Sequence, residues 1–148
     1  MSRRVVVDTS TLVSAALRAD SIPHKALLEV LATSDLCAST ETLAELERVL
    51  DNKKFHRYLD QTLRREFVAL IRRQSHIFAV ETTDLEAVEP PCRDPEDNKF
   101  LALALAAEAN VLISSDDDLL VLHPWRGIPI VTPADFLSRR KGDDLEGT

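Results

Sequence analysis

Val5, Val6 and Val7 form a short β-branched run that ends abruptly at a carboxylate, Asp8. A run apolar at every position has no solvent face, so it predicts a strand buried on both sides, as in parallel sheets. The same pattern returns at Val111, Leu112 and Ile113, which lead into Ser114-Ser115-Asp116. Further strand candidates are Leu36 to Ala38, Ile77 to Val80 and Ile128 to Val131. Between them lie segments with helical periodicity. Thr9, Ser10 and Thr11 offer caps for a first helix over Leu12 to Leu17, and Asp8 is a further cap candidate. Pro23 opens HKALLEVLAT, and Ser39 or Thr40 caps ETLAELERVL. Thr62 to Gln74 carries Leu63, Phe67, Leu70 and Ile71 on one side. FLALALAAEA, after Asp94-Pro95-Glu96-Asp97, is apolar almost all round and should be central.

Strands alternating with helices predict an α/β domain with a mostly parallel sheet flanked by helices. Residues 81–93, with Pro90-Pro91, are expected to be a loop, and Pro133 to Leu137 a terminal helical turn. One domain over residues 1–138 and a charged, fraying tail over 139–148 are expected.

Composition removes several function classes. Three glycines leave no room for a Gly-rich phosphate loop. A net charge of -7 argues against holding nucleic acid by bulk electrostatics, unless bound cations reverse the local field. Cys37 and Cys92 lack CxxC spacing, and two reduced thiols are expected. Asp8 interrupts the N-terminal apolar run too early for a signal peptide. No stretch approaches the roughly 20 apolar residues of a membrane span. A cytoplasmic protein without a membrane partner is the expectation.

The acids mark the site. Asp8 and Asp116 follow strand ends, and Asp94 and Asp97 stand at the entry to the central helix. In open α/β sheets the ligand crevice lies outside the carboxyl ends of the strands. Carboxylates gathered there repel one another, and Mg²⁺ or Mn²⁺ would compensate, because hard cations prefer oxygen. Each acid also has a structural reading. Asp94 suits an N-cap with Pro95 at N1, and Asp97 suits N3. Asp116, Asp117 and Asp118 could form a solvated turn. Glu45 competes with Glu41 and Glu47, and by spacing alone looks like a surface glutamate.

Taken together, VVVDTSTLVSA, ETLAELERVL, CRDPEDNKFLALALA and VLISSDDDLL resemble, in order and spacing, the four site segments of the PIN-domain family, and of its VapC-like toxins in particular. The resemblance extends from the first strand to PIVTPADFL. It implies four acids around one or two divalent ions, Mg²⁺ or Mn²⁺. By motif these are Asp8, Glu45, Asp97 and Asp116, with Asp94 as an accessory acid. Ser10 stands where the family often has Asn, and Ser114 where it often has Thr. Asp118 competes with Asp116 for the fourth position.

The activity implied is metal-dependent hydrolysis of RNA phosphodiesters by an activated water, in the toxin of a type II toxin–antitoxin pair. A cognate antitoxin and a homodimer are implied partners. Lys53, Lys54, His56 and Arg57, then Arg64, Arg65, Arg72 and Arg73, could contact RNA phosphates or simply form a solvated face. His24, His76 and His123 are scattered and carry no metal role. Two rivals remain at this level. One is an α/β phosphatase or receiver, although the aspartate a haloacid-dehalogenase-type phosphatase needs two residues after Asp8 is replaced by Ser10. The other is a PIN fold kept as a catalytically weak binding module.

Overall fold

The structure, a computed structural model, describes residues 2–142. Five strands form one sheet in the order β3-β2-β1-β4-β5. They are β1 (Arg3–Val7), β2 (Ser34–Ala38), β3 (His76–Ile77), β4 (Val111–Ile113) and β5 (Ile130–Val131). Every strand pair is parallel. The chain therefore winds outward from β1 through β2 to β3, returns to β4 on the other side of β1, and ends at β5. That reversal puts a topological switch point between β1 and β4, where a parallel sheet opens a crevice at its carboxyl edge.

The apolar runs are buried on both faces, as their composition predicted. Val5, Val7, Leu36, Ala38, Val111, Ile113 and Val131 face one core. Helices α1 (Thr9–Leu17), α2 (Ile22–Thr33), α3 (Thr40–Leu50), α4 (Gln61–Gln74) and α8 (Pro133–Gly142) contribute to it. Val6, Cys37, Leu112 and Ile130 face the opposite core, built largely from α6 (Asn98–Ala107). The pairing of Val6 with both Cys37 and Leu112 keeps each face in register across the sheet. Phe100, Leu101, Ala102, Leu103 and Ala104 of α6 are all buried, which explains its apolar circumference.

Local chemistry sets the ends of the elements that carry the acids. Asp8 itself, not Thr9, Ser10 or Thr11, caps α1, accepting from Thr11 N at 3.0 Å. Ser39 caps α3: its Oγ accepts from Thr42 N at 3.2 Å, and Thr42 Oγ1 accepts from Ser39 N at 2.9 Å. This reciprocal pair satisfies two donors at the entry to the helix that carries Glu45.

Four expectations need correction. The third strand is His76–Ile77 rather than Ile77 to Val80, and only Phe78 N extends the ladder, to Ala38 O at 2.8 Å. Phe78 and Val80 instead pack against the second core. The last strand is Ile130–Val131; ahead of it Pro129 contributes its carbonyl, which accepts from Leu112 N at 2.9 Å. The 81–93 stretch contains a short helix, α5 (Thr82–Glu86), because Asp84 accepts from Glu81 N at 2.8 Å and closes its first turn. Finally, the terminal element is not a turn ending at Leu137 but α8, running to Gly142, anchored by buried Phe136 and its contacts with α2. The remainder of the expected tail, 143–148, lies outside the described residues.

The Ser39 cap is testable. Ser39 is 1% exposed, so Ser39→Ala removes one helix cap and strands a buried amide. A loss of about 1–2 kcal/mol in urea unfolding is expected. An unchanged midpoint would show that the cap adds nothing.

Candidate active site

The crevice at the switch point is a pocket of about 390 Å³. Asp8, Thr9, Ser10, Glu45, Asp97 and Asp116 line it, together with Lys54, Phe55 and Phe100. The four acids selected by motif thus come from four separate parts of the chain and border a single space. Asp8 arrives at the end of β1, Glu45 on α3, Asp97 in the 3-10 turn Pro95–Asp97, and Asp116 just beyond β4.

Asp8 is the most enclosed of them, at 3% exposure. Its Oδ2 accepts from Ser114 Oγ at 2.5 Å and its Oδ1 from Thr11 N at 3.0 Å. Ser10 Oγ stands 3.4 Å from both oxygens. Burial pushes the Asp8 carboxyl above its ordinary range, while the Ser114 and Thr11 bonds pull it back and the Asp116 charge raises it further. Ser114 is fully buried and accepts from Asp116 N at 2.9 Å, so one hydroxyl fixes both strand-end aspartates. The Asp116 side chain then caps the four-residue helix α7 (Asp117–Leu120), accepting from Asp118 N at 2.9 Å.

Asp97 is half-buried, and its Oδ2 has no hydrogen-bond partner. Its carboxyl is pushed up to about 7, first by burial, then by the adjoining Asp116 carboxyl, with Asp94 and Asp8 adding like charge. Among the described residues no group of three His, Cys, Asp and Glu side chains stands as a ready-made metal cage. The aspartates share a pocket without closing on a point, and the buried oxygen left without a partner belongs to Asp97.

Glu45 departs most from its sequence reading. Its side chain is only 14% exposed, whereas that of Glu47 is 67% exposed and Glu41 also faces solvent. Both its oxygens are engaged. Oε1 accepts from Thr9 Oγ1 at 2.7 Å, and Oε2 pairs with Lys99 Nζ at 3.2 Å and Arg48 Nη2 at 3.9 Å.

A PIN-domain family model matches residues 4–118, from β1 through Asp118. This chain belongs to the PIN-domain family. Among solved structures, this PIN domain is similar to VapBC2 from Rickettsia felis, determined bound to a DNA fragment from their promoter; identity is 14%, TM-score 0.60, with 86% of this chain and 96% of that one covered. It is also similar to PAE2754 from Pyrobaculum aerophilum, at 12% identity and TM-score 0.59, covering 94% of this chain and 90% of that one. VapC20 of Mycobacterium tuberculosis, described as a sarcin–ricin loop cleaving toxin, matches at 17% identity and TM-score 0.54, covering 79% of this chain and 94% of that one. At such identities the likeness is one of fold. No curated protein sequence matches closely enough to add to it.

Asp94 and Asp118 fall outside the pocket lining of this PIN domain. Asp94 is exposed and caps the 3-10 turn, accepting from Glu96 N at 3.0 Å. Asp118 is half-buried in the first turn of α7 and offers its carbonyl to Cys92 Sγ at 3.5 Å. Of the basic residues, Lys54 lines the pocket, with its ammonium 5.1 Å from the Phe55 ring centroid. Arg64, in contrast, is buried and donates to Leu59 O at 2.5 Å, so it serves the fold rather than a solvated face. Arg72 pairs with Glu47 at 3.8 Å. The histidines also have local partners: His24 Nδ1 accepts from Asp20 N, His123 Nδ1 accepts from Ile130 N, and His76 stands 3.5 Å from Asp35. Both cysteines are free and buried. No helix among the described residues is long and apolar enough to cross a membrane.

Two site neighbours were not singled out in the sequence, Thr9 as a partner of Glu45 and Lys99. The Glu96–Lys99 spacing of three was the only local signal for the lysine, and it points to a surface pair.

The raised Asp97 carboxyl makes a signed prediction for the metal-free protein. Between pH 4 and 7 the unfolded chain has released this proton and the folded chain has kept it, so stability falls as pH rises across that window and stays reduced above it. Asp97→Asn should flatten this slope and raise stability at pH 8 on the order of 1–2 kcal/mol. Thermal melts in EDTA from pH 4.5 to 8.5 measure it; an identical slope in the variant would refute the assignment.

Proposed function

We propose that this PIN domain is a divalent-metal-dependent endoribonuclease and the toxin of a type II toxin–antitoxin pair. The observation that carries the reading is the convergence of Asp8, Glu45, Asp97 and Asp116 on one pocket at the carboxyl edge of the sheet. The donors suit a hard cation: they are all oxygen, Asp97 Oδ2 is buried without a partner, and burial followed by neighbouring like charge pushes the Asp97 carboxyl up to about 7. A divalent ion bound there would supply a water of lowered pKa and would balance charge on the phosphoryl group.

The chain's own side chains do the rest. Asp8, Asp97 and Asp116 would hold the ion, with Mg²⁺ or Mn²⁺ the candidates. Ser114 keeps Asp8 in one orientation through its 2.5 Å bond and ties the Asp116 backbone to the same hydroxyl. Asp118 and Asp94 are outer acids that shape the local field. Ser10 and Lys54, on the pocket wall, are placed to contact the phosphate of an incoming strand. The attacking group would be water, since among the described residues no serine or cysteine side chain is hydrogen-bonded to a histidine ring. VapC20 and VapBC2 share the fold, which supports an RNA substrate and a cognate antitoxin as the corresponding expectations for this chain, while a homodimer is what the family resemblance implies.

Incubation of a mixed RNA pool with the purified protein and Mg²⁺ or Mn²⁺ tests this. Cleavage should require the ion, stop in EDTA, and fall at least about a hundredfold in Asp8→Asn and Asp97→Asn. Equal cleavage by wild type and Asp8→Asn would sink the assignment. RNA binding without cleavage would identify a binding module, and turnover of p-nitrophenyl phosphate with intact RNA would identify a phosphatase.

A further inference from the structure

Glu45 borders the pocket, but its two oxygens are already committed. Thr9 Oγ1, on a residue that is 7% exposed, donates to Oε1 at 2.7 Å. Lys99 Nζ lies 3.2 Å from Oε2, and the Lys99 side chain is only 20% exposed. Arg48, at 3.9 Å and 68% exposed, is a looser second cation. Lys99 is itself held between two carboxylates, since Glu96 Oε1 lies 3.5 Å from the same ammonium. The lysine stands two residues after Asp97, in the first turn of α6, so its backbone position is set by the same turn that delivers Asp97.

We propose that Lys99 is a resident counter-ion that withholds Glu45 from the metal, so that the pocket is a three-aspartate centre for one divalent cation. The inference rests on the metal-centre reading above and concerns which of the acids take part. Charge arithmetic supports it. Four free carboxylates would carry four negative charges and call for two divalent ions. With Glu45 neutralised by Lys99, three aspartates remain, which one divalent ion balances to within a single charge. A second ion against Glu45 Oε2 would have to displace an ammonium that is partly withdrawn from water and attracted to two carboxylates, and its own charge would repel that ammonium. Lys99 is thus a positioning residue: it acts on the metal's ligand set through Glu45.

The test is Mn²⁺ binding to the full chain, followed by electron paramagnetic resonance and calorimetry, which reads stoichiometry without reference to activity. Wild type should bind one Mn²⁺ per chain. Glu45→Gln should change that affinity by less than about fivefold, whereas Asp97→Asn should weaken it by more than about tenfold. Lys99→Met frees Glu45 and should add a second Mn²⁺ per chain or tighten the first by about tenfold, while Lys99→Arg, which restores the charge, should behave as wild type. Two ions on the wild type, loss of binding in Glu45→Gln, or no change in Lys99→Met would overturn the proposal. No Mn²⁺ bound to any variant would instead overturn the metal-centre reading itself. Circular dichroism of Lys99→Met and Glu45→Gln separates these results from misfolding.

Discussion

Much of this molecule depends on keeping one carboxylate, Asp8, buried at the end of its central strand. A carboxylate withdrawn from water is costly unless donors replace the lost solvent. Here they come from two directions, the Thr11 amide in the first turn of α1 and the Ser114 hydroxyl beyond β4. The first ties the acid to the positive end of a helix. The second ties β1 to its neighbour β4 at the switch point, and the same Ser114 hydroxyl accepts from Asp116 N. Burying Asp8 therefore also sets where α1 starts and where the fourth acid stands.

The electrostatics of the pocket follow from that geometry. Asp97 and Asp116 adjoin, Asp8 lies within their field, and burial together with like charge raises the Asp8 and Asp97 carboxyls. The protein leaves this repulsion in place on the aspartate side and relieves it on the glutamate side, where Lys99 and Arg48 meet Glu45. The pocket is thus asymmetric: one half is short of positive charge and the other supplies its own. An overall charge of -7 accords with the proposed phosphodiester substrate where acids gather at a site that a cation would occupy.

The architecture was largely legible before any coordinates. Val5-Val6-Val7 and Val111-Leu112-Ile113 leave no face for water, so a two-sided parallel sheet followed from them, and the apolar circumference of α6 marked it as central. Asp8, Asp97 and Asp116 could be located because acids next to strand ends and at helix entries are already at the crevice. The short elements were harder. β3 makes only one further ladder bond, α5 depends on a single side-chain cap, and α8 continues past Leu137 because buried Phe136 and α2 anchor it. Arg64 could not be separated from Arg65 by sequence, since one guanidinium is buried against Leu59 O only because of how the loop before α4 turns.

The chain on its own determined its elements, the order of its acids and the family to which those acids belong, because periodicity, caps and motif spacing are local properties carried along the backbone. Tertiary structure alone decided what each acid can do. Glu45 looked like a surface residue of an amphipathic helix, and it became a half-buried group with a threonine on one oxygen and a lysine on the other. Those partners lie 36 residues before it and well after it in the chain, on separate elements. Burial and counter-charge are properties of neighbours in space, and only the packing of α3 against α1 and α6 assigns them.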